Sequence, residues 1–325
     1  MDYDYWCSLP DAELAANDVA TVNLIVAAGL PGTESINFSA VLRRLHAWTK
    51  FVADNTDYWR SKFVPHEDCR TDAEFRMLAM ITLLQRDLGV KYNPARMTGP
   101  DNARDSRDSF LHGPLTDHGG TCGSLPILYL AVGRRLGYPV HLVHTIRHSF
   151  VRWDDGNGER FNVECAGVGF RRYDDEHYRQ WPEPFTEAER ANHWFLSNLT
   201  PRRELATFVY DRAHCLLDNL RIEEALEAYC HACTLEPKYE PLWALATMID
   251  RILTNLHSQR LSEMFPTPAA IDLASRIPVQ PWECRMLEKA RLDLHRITGL
   301  QAAQRPDEFD RMVAQGWFAF QPQKA

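Results

Sequence analysis

The spacing of apolar residues changes twice along the chain. Over the first third they recur at three- and four-residue steps, the period of an amphipathic helix. Asn17 to Ala28 is apolar on one face and stops at Gly29-Leu-Pro-Gly, a helix-ending signal. Val41, Leu45, Trp48 and Val52 repeat the helical spacing. Thr71-Asp-Ala-Glu74 has capping-box chemistry ahead of Phe75, Leu78, Met80, Ile81 and Leu84, and Gly89 closes that helix. The polar stretch from Asn93 to Asp108 then predicts a long loop, the kind of segment that carries function.

A further helix is predicted from Cys122 to Leu136, stopped by Gly137 and Pro139. Directly after it the period drops to two. Val140 to Thr145 and Ser149 to Trp153 alternate like strands, and Glu159 to Glu164 is the returning strand. Asp154-Asp-Gly-Asn-Gly158 between them supplies the residues of a hairpin turn. Trp181-Pro-Glu-Pro184 and Thr200-Pro201 punctuate the exit, and helical spacing returns.

Ala213, Ala225, Tyr229, Ala232 and Pro237 fall at the small, aromatic and proline positions of a tetratricopeptide (TPR) unit. Trp243 and Ala246 open a further repeat, so one to two units are legible. Stable solenoids need about three repeats, so these helices are expected to pack on the unit before them. Pro266, Pro268, Pro278 and Pro281 punctuate a helical tail. The predicted organisation is a helical region at 1–70, an α+β core with an antiparallel sheet at 71–200, and TPR-like helices and tail at 201–325.

Composition narrows the class. At 325 residues, 45% hydrophobic and 25% charged, the chain is that of an ordinary globular protein large enough for a sizeable core. A net charge of −8 offers no basic face to displace counterions, which argues against a nucleic-acid partner. No apolar run approaches the roughly 18 residues that would span a bilayer, so no membrane role is expected. The start, Met1-Asp-Tyr-Asp-Tyr-Trp, is acidic where a secretory signal is basic. The eight cysteines have no framework spacing and read as reduced thiols, which places the protein in the cytoplasm.

One cysteine stands apart. Cys122 lies in His118-Gly-Gly-Thr-Cys122-Gly-Ser-Leu-Pro, after a Gly-Gly turn and ahead of an apolar helix. The first amides and positive dipole end of that helix would face the sulfur, which favours the reactive thiolate. His148 and Glu164 follow on successive strands, so a nucleophile, a base and an orienting carboxylate share one compact sheet. His141 and His144 compete with His148 as packing or surface residues, and Asp154 and Asp155 compete with Glu164. The strand that begins at His148 runs into the hairpin whose return ends at Glu164, and that register favours this pair. The Cys122 amide is the first candidate oxyanion donor, with His112, Asn93 and Ser109 as candidates for the second.

Other patterns dissolve on inspection. Asp155-Gly-Asn-Gly-Glu159 resembles the start of a calcium loop, but a 12-residue loop would end at Ala166 where a glutamate is needed. Cys230-His-Ala-Cys233 has CxxC spacing inside a predicted helix and lacks a second ligand pair. Asp174-Asp-Glu176 reads as a solvated acidic face.

The run from Gly120 to Pro139, His148-Ser-Phe-Val-Arg-Trp153 and Phe161-Asn-Val-Glu164 together resemble the transglutaminase-like superfamily, in its bacterial type with C-terminal TPR-like helices. The resemblance implies a papain-like core at 71–200, with Cys122 as nucleophile, His148 as base and Glu164 as the third member. Two departures stand out. The third position holds glutamate where aspartate is commoner, and neither calcium sites nor the aromatic residues flanking the cysteine of animal transglutaminases are evident. The resemblance implies thiol-dependent acyl transfer or amide hydrolysis on a protein or peptide substrate, with no metal or organic cofactor. The contrasting expectation is an inactive scaffold that binds a protein partner through its TPR-like helices.

Overall fold

The computed structural model describes residues 3–67, 69–97, 105–185, 187, 190, 195–219 and 221–236. The chain divides into two compact units, residues 1–221 and 222–325.

In the first unit, α1 (Tyr3–Ser8), α2 (Asp11–Ala15) and α3 (Val19–Ala27) precede the long α4 (Phe38–Arg60). Asp18 caps α3 by accepting from the Thr21 N–H, and Asn37 caps α4 through Ala40. The Thr71–Glu74 capping box is formed at the start of α5 (Asp72–Thr82), which runs on into a π-helical turn at Leu83–Asp87. Among its described residues, the predicted long loop contains a 3-10 turn at Pro94–Arg96 and the short α6 (Ser106–Ser109).

The unit is organised around α7 (Ser124–Arg135), which is buried from Ser124 through Gly133. Such an all-round apolar helix must lie inside a core. It packs against α3 and α4 and against the sheet. Its basic last turn is tied down twice: Arg134 pairs with Glu204 at 2.6 Å and Arg135 with Asp18 at 2.7 Å. Those anchors at the C-terminal end fix where the N-terminal end, beside Cys122, points.

The sheet is antiparallel in the order β1 (Val140–Thr145), β2 (His148–Asp154), β3 (Arg160–Val163). Thr145 pairs with His148 across a tight turn in which Arg147 takes φ 56°, and Val151 pairs with Val163. By alternation, His148, Phe150 and Arg152 share one face with Asn162, while Val151 and Trp153 share the other with Val140 and Leu142. On the first face, Val143 and Phe150 form a core with Tyr178, Phe185 and Leu196. Tyr178 ends α8 (Asp175–Tyr178) and stacks on Phe150 with centroids 3.9 Å apart. The unit's last helix is α9 (Pro201–Asp218).

Within Asp174-Asp-Glu176, Asp174 and Glu176 are exposed as a solvated acidic face requires, but Asp175 departs from it. Asp174 caps α8 through the His177 N–H, and Asp175 accepts from the fully buried Arg152 at 2.5 Å. The reason lies on β2: an arginine facing the core needs a carboxylate, and the start of α8 brings one to it.

In the second unit, α10 (Ile222–Leu235) buries Ala225, Ala228, Tyr229, Ala232 and Leu235, a stripe at helical spacing. Of the residues behind the TPR reading, Pro237 and the Trp243 and Ala246 of the further repeat lie outside the described residues, as does the proline-punctuated tail. No helix among the described residues is long and apolar enough to cross a membrane.

Candidate active site

The Gly-Gly lead into Cys122 is a place where backbone touches backbone. Gly119 has φ +81°, and a side chain there would meet the Lys91 carbonyl oxygen at 3.1 Å. A Cβ on Gly120 would lie 2.6 Å from Leu125 Cγ. The Gly120 N–H donates to Lys91 O at 3.0 Å, and the Asn93 N–H donates to Gly120 O at 2.8 Å. At the next residue, the Thr121 hydroxyl donates to Asp108 O at 2.6 Å and accepts from the Gly123 N–H at 3.0 Å. Asp108 also accepts from His118 at 2.9 Å and pairs with Arg96 at 2.7 Å.

Cys122 therefore sits in a turn held on both sides. It precedes the first residue of α7 by two positions instead of opening the helix, because the Thr121–Gly123 bonds complete the turn first. The Leu125 N–H already reaches Thr121 O at 3.0 Å, so helical bonding starts around the cysteine. The Cys122 N–H has no acceptor among the described residues. An unspent amide in the first turn of a helix is a ready donor for a developing oxyanion.

His148, at the start of β2, brings the three residues together. Its Nε2 lies 2.8 Å from Glu164 Oε2, and the Cys122 thiol is close enough to the ring to favour its charged form. With Nε2 facing the carboxylate, Nδ1 is the nitrogen left for sulfur. Strand register alone would set Glu164 opposite Phe150, so His148 and Glu164 meet as diagonal neighbours on one face. Glu164 lies one residue past β3, where its N–H pairs with Arg171 O at 2.9 Å. Its carboxylate also accepts from the Ala166 N–H at 2.7 Å and the Tyr178 hydroxyl at 3.1 Å.

Electrostatics follow from these contacts. Burial opposes charge on His148, but the Cys122 thiol and the Glu164 carboxylate outweigh it and bring the imidazole up to about 9. Burial likewise pushes the Glu164 carboxyl up, and the His148 hydrogen bond and charge more than reverse that, holding it below its usual value. The pair is a buried imidazolium–carboxylate, with both side chains under a tenth exposed. Trp181, 43% exposed, sets its ring edge-on to His148 at 4.7 Å and walls the pair on one side.

The sequence profile of the transglutaminase-like superfamily matches residues 40–206, just over half of the chain. The chain belongs to the transglutaminase-like superfamily. The matched span takes in the Cys122 turn, α7 and the whole sheet, so the residues drawn together here lie in the superfamily's domain. Searches of curated proteins and of solved structures find no match.

The competing residues have other employment within this transglutaminase-like domain. His144 is buried between the hydroxyls of Ser149 at 2.7 Å and Thr207 at 3.0 Å. Burial, helped by nearby Arg203 and His148, drives it down to about 3. His141 is half-buried, and burial lowers it too. Asp154 pairs with Asn198 at 2.9 Å, and Asp155 accepts the Asn157 and Glu159 N–H groups of the hairpin loop. Both carboxylates thus serve the far end of the hairpin from His148.

Of the three candidates for a second oxyanion donor, His112 is fully buried against Ser106 at 3.0 Å, where burial lowers it to about 4. Asn93 and Ser109 both border the cysteine turn, Asn93 through Gly120 and Ser109 beside Gly123. Asn93 also places its amide nitrogen 3.1 Å from His118 Nε2. Tyr178 and Trp181 had no sequence signal as site residues: they arrive from a turn that follows the sheet, and only the tertiary fold brings them to His148.

Proposed function

We propose that this protein is a thiol-dependent amide hydrolase of the papain-like kind, acting on a protein or peptide through Cys122, His148 and Glu164. The observation that carries the reading is the His148 ring, held by Glu164 at 2.8 Å and raised by that carboxylate together with the Cys122 thiol. An inactive scaffold has no use for a buried, charged imidazole beside a half-exposed thiol, so the enzyme reading is favoured over the scaffold.

Cys122 reacts as the thiolate, its thiol proton having passed to His148: sulfur attacks the amide carbonyl carbon, forming the C–S bond, while the carbonyl oxygen takes the negative charge and is met by the Cys122 N–H. His148 holds its proton through neutral pH and delivers it to the departing nitrogen as the C–N bond breaks. Now neutral, His148 takes a proton from water, which attacks the thioester carbonyl. Collapse releases the acid, and sulfur and His148 return to their starting states. Glu164 keeps the ring oriented and balances its charge throughout. An amine in place of water would give transamidation; hydrolysis is preferred because nothing in the sequence builds a site for an amine.

Two measurements test this. Iodoacetamide should modify Cys122 faster than Cys7, another half-buried thiol, when each cysteine is followed by mass spectrometry. Cys122→Ala should abolish amine or ammonia release from a casein-peptide mixture. Equal reaction at Cys7 and Cys122, together with undiminished release by Cys122→Ala, would sink the proposal.

A further inference from the structure

A pocket of about 420 Å³ lies between the segment that follows Glu164 and the segment that braces the Cys122 turn, with none of the three triad side chains in its lining. One wall is the Cys165–Gly169 loop that follows Glu164, whose Ala166 N–H donates to the Glu164 carboxylate at 2.7 Å. Gln85 clamps that loop, donating to Gly167 O at 3.0 Å and accepting from the Gly169 N–H at 2.7 Å. The other wall is Val90–Tyr92, which pairs through Lys91 O with Gly120, two residues before Cys122. Leu125, three residues after Cys122, lines the pocket as well.

Its chemistry is lopsided for a chain of net charge −8. No lining residue is acidic, whereas Arg86 and Lys91 both line the rim. Arg86 is paired with Asp87 at 2.7 Å. Lys91 is exposed and has no ion-pair partner among the described residues. At the buried end stands the Tyr129 hydroxyl, on a side chain 1% exposed. It accepts from Gln85 Nε2 at 3.0 Å, and its own proton has no acceptor among the described residues. Burial, with Cys165 and the Glu164 charge nearby, keeps that hydroxyl above its usual range, so it remains a donor; for an anion bound here, the attraction of Lys91 has to outweigh the Glu164 carboxylate, itself already paired with His148. Val90, Leu125 and Val168 supply apolar surface.

We propose that this pocket is the specificity subsite of the triad and takes a carboxylate on a short aliphatic stem, carried by a peptide substrate. The inference rests on the reading of Cys122 as the nucleophile. A cationic group is repelled by the rim, and a purely apolar one leaves the Tyr129 proton unpaired. A neutral amide answers the hydroxyl but not Lys91. A carboxylate can accept the Tyr129 proton at the buried end while the Lys91 charge at the rim attracts it, with its stem against the apolar walls. The volume suits one such group, being at the small end for ligand sites.

The test uses electrophiles that Cys122 can displace chloride from, so that the rate of S–C bond formation reports on binding nearby. Chloroacetyl-glutamate amide and chloroacetyl-glutamine amide differ only in the side-chain charge; chloroacetyl-glutamine with a free terminal carboxylate moves the charge to the chain end. Labelling of Cys122 is followed by mass spectrometry and normalised, for each variant, to plain chloroacetamide. One of the two carboxylate probes should react about tenfold faster than the neutral one, the size of one charge-assisted hydrogen bond. Which of them wins identifies an acidic side chain or a peptide C-terminus as the source. Lys91→Gln should erase the preference and Tyr129→Phe should reduce it. Equal rates for charged and neutral probes in the unaltered protein, or a preference that survives Lys91→Gln, would overturn the subsite and leave the nucleophile reading standing. Failure of plain chloroacetamide to label Cys122 would overturn the nucleophile reading, and the subsite with it.

Discussion

His144 and His148 lie four residues apart at one end of the sheet, both under a tenth exposed, yet they behave as opposites. Burial pushes each imidazole toward its neutral form. At His144 the hydrogen-bonding neighbours include the Ser149 and Thr207 hydroxyls, dipoles that accept either form of the ring, and burial wins, leaving it at about 3. At His148 the neighbours are a thiol and a carboxylate, and the imidazole rises to about 9. The strand register turns the two side chains to opposite faces, which is how such different company fits into so short a segment. Burial thus does not decide which histidine is reactive; the chemistry of the partner does.

Exchanging the two histidines for glutamine, one at a time, should break the comparison most strongly. His148→Gln is expected to reduce turnover, or Cys122 alkylation, on the order of 10²–10⁴-fold, the usual contribution of a positioned acid–base group. His144→Gln should instead act on stability, by about 1–3 kcal/mol if its hydroxyl partners are left unsatisfied, with turnover little changed. Denaturant midpoints and single-turnover rates on both variants separate the two outcomes. Glu164→Gln comes next: it keeps the shape but removes the charge, so turnover should fall about 10²-fold while Cys122 stays labelable at a reduced rate.

The pH dependence of stability should separate the two sites in sign. His148 is raised from an ordinary 6.5 to about 9, so its stabilisation is complete below pH 6.5 and is lost as pH climbs through 9. His144 is depressed to about 3, so its site is fully stable above pH 6.5 and loses stability as pH falls toward 3. Each effect is on the order of 1–3 kcal/mol. Comparing the parent with His148→Gln and His144→Gln by urea denaturation across pH 4–10 should remove the alkaline loss in one variant and the acid loss in the other. The smallest effect is expected at Trp181→Ala, where opening one side of the His148–Glu164 pair to water should lower the rate only a few-fold, read by the same alkylation assay.

Much of this site was legible in the sequence because its members carry local signals. A glycine pair before a thiol marks close backbone approach, and period-two spacing put His148 and Glu164 on successive strands. What could not be read was anything set by the meeting of distant segments. Cys122 ends two residues short of α7 because Thr121 and Asp108 complete a turn around it. Asp175 leaves the acidic surface because Arg152 is buried across from it. Tyr178 reaches Glu164 only after the chain has turned back over the sheet. The three strands were legible to within a residue or two since their pattern is alternation, which depends on nothing far away.

The most direct test of the central claim is the titration of His148 followed by NMR in the intact protein. With Cys122 and Glu164 both favouring its charged form, the imidazole should titrate near 9 and shift downward in Cys122→Ala and again in Glu164→Gln. An imidazole that titrates at its ordinary value and ignores Cys122→Ala would contradict the account, because the thiol, base and carboxylate would then not be acting as one site.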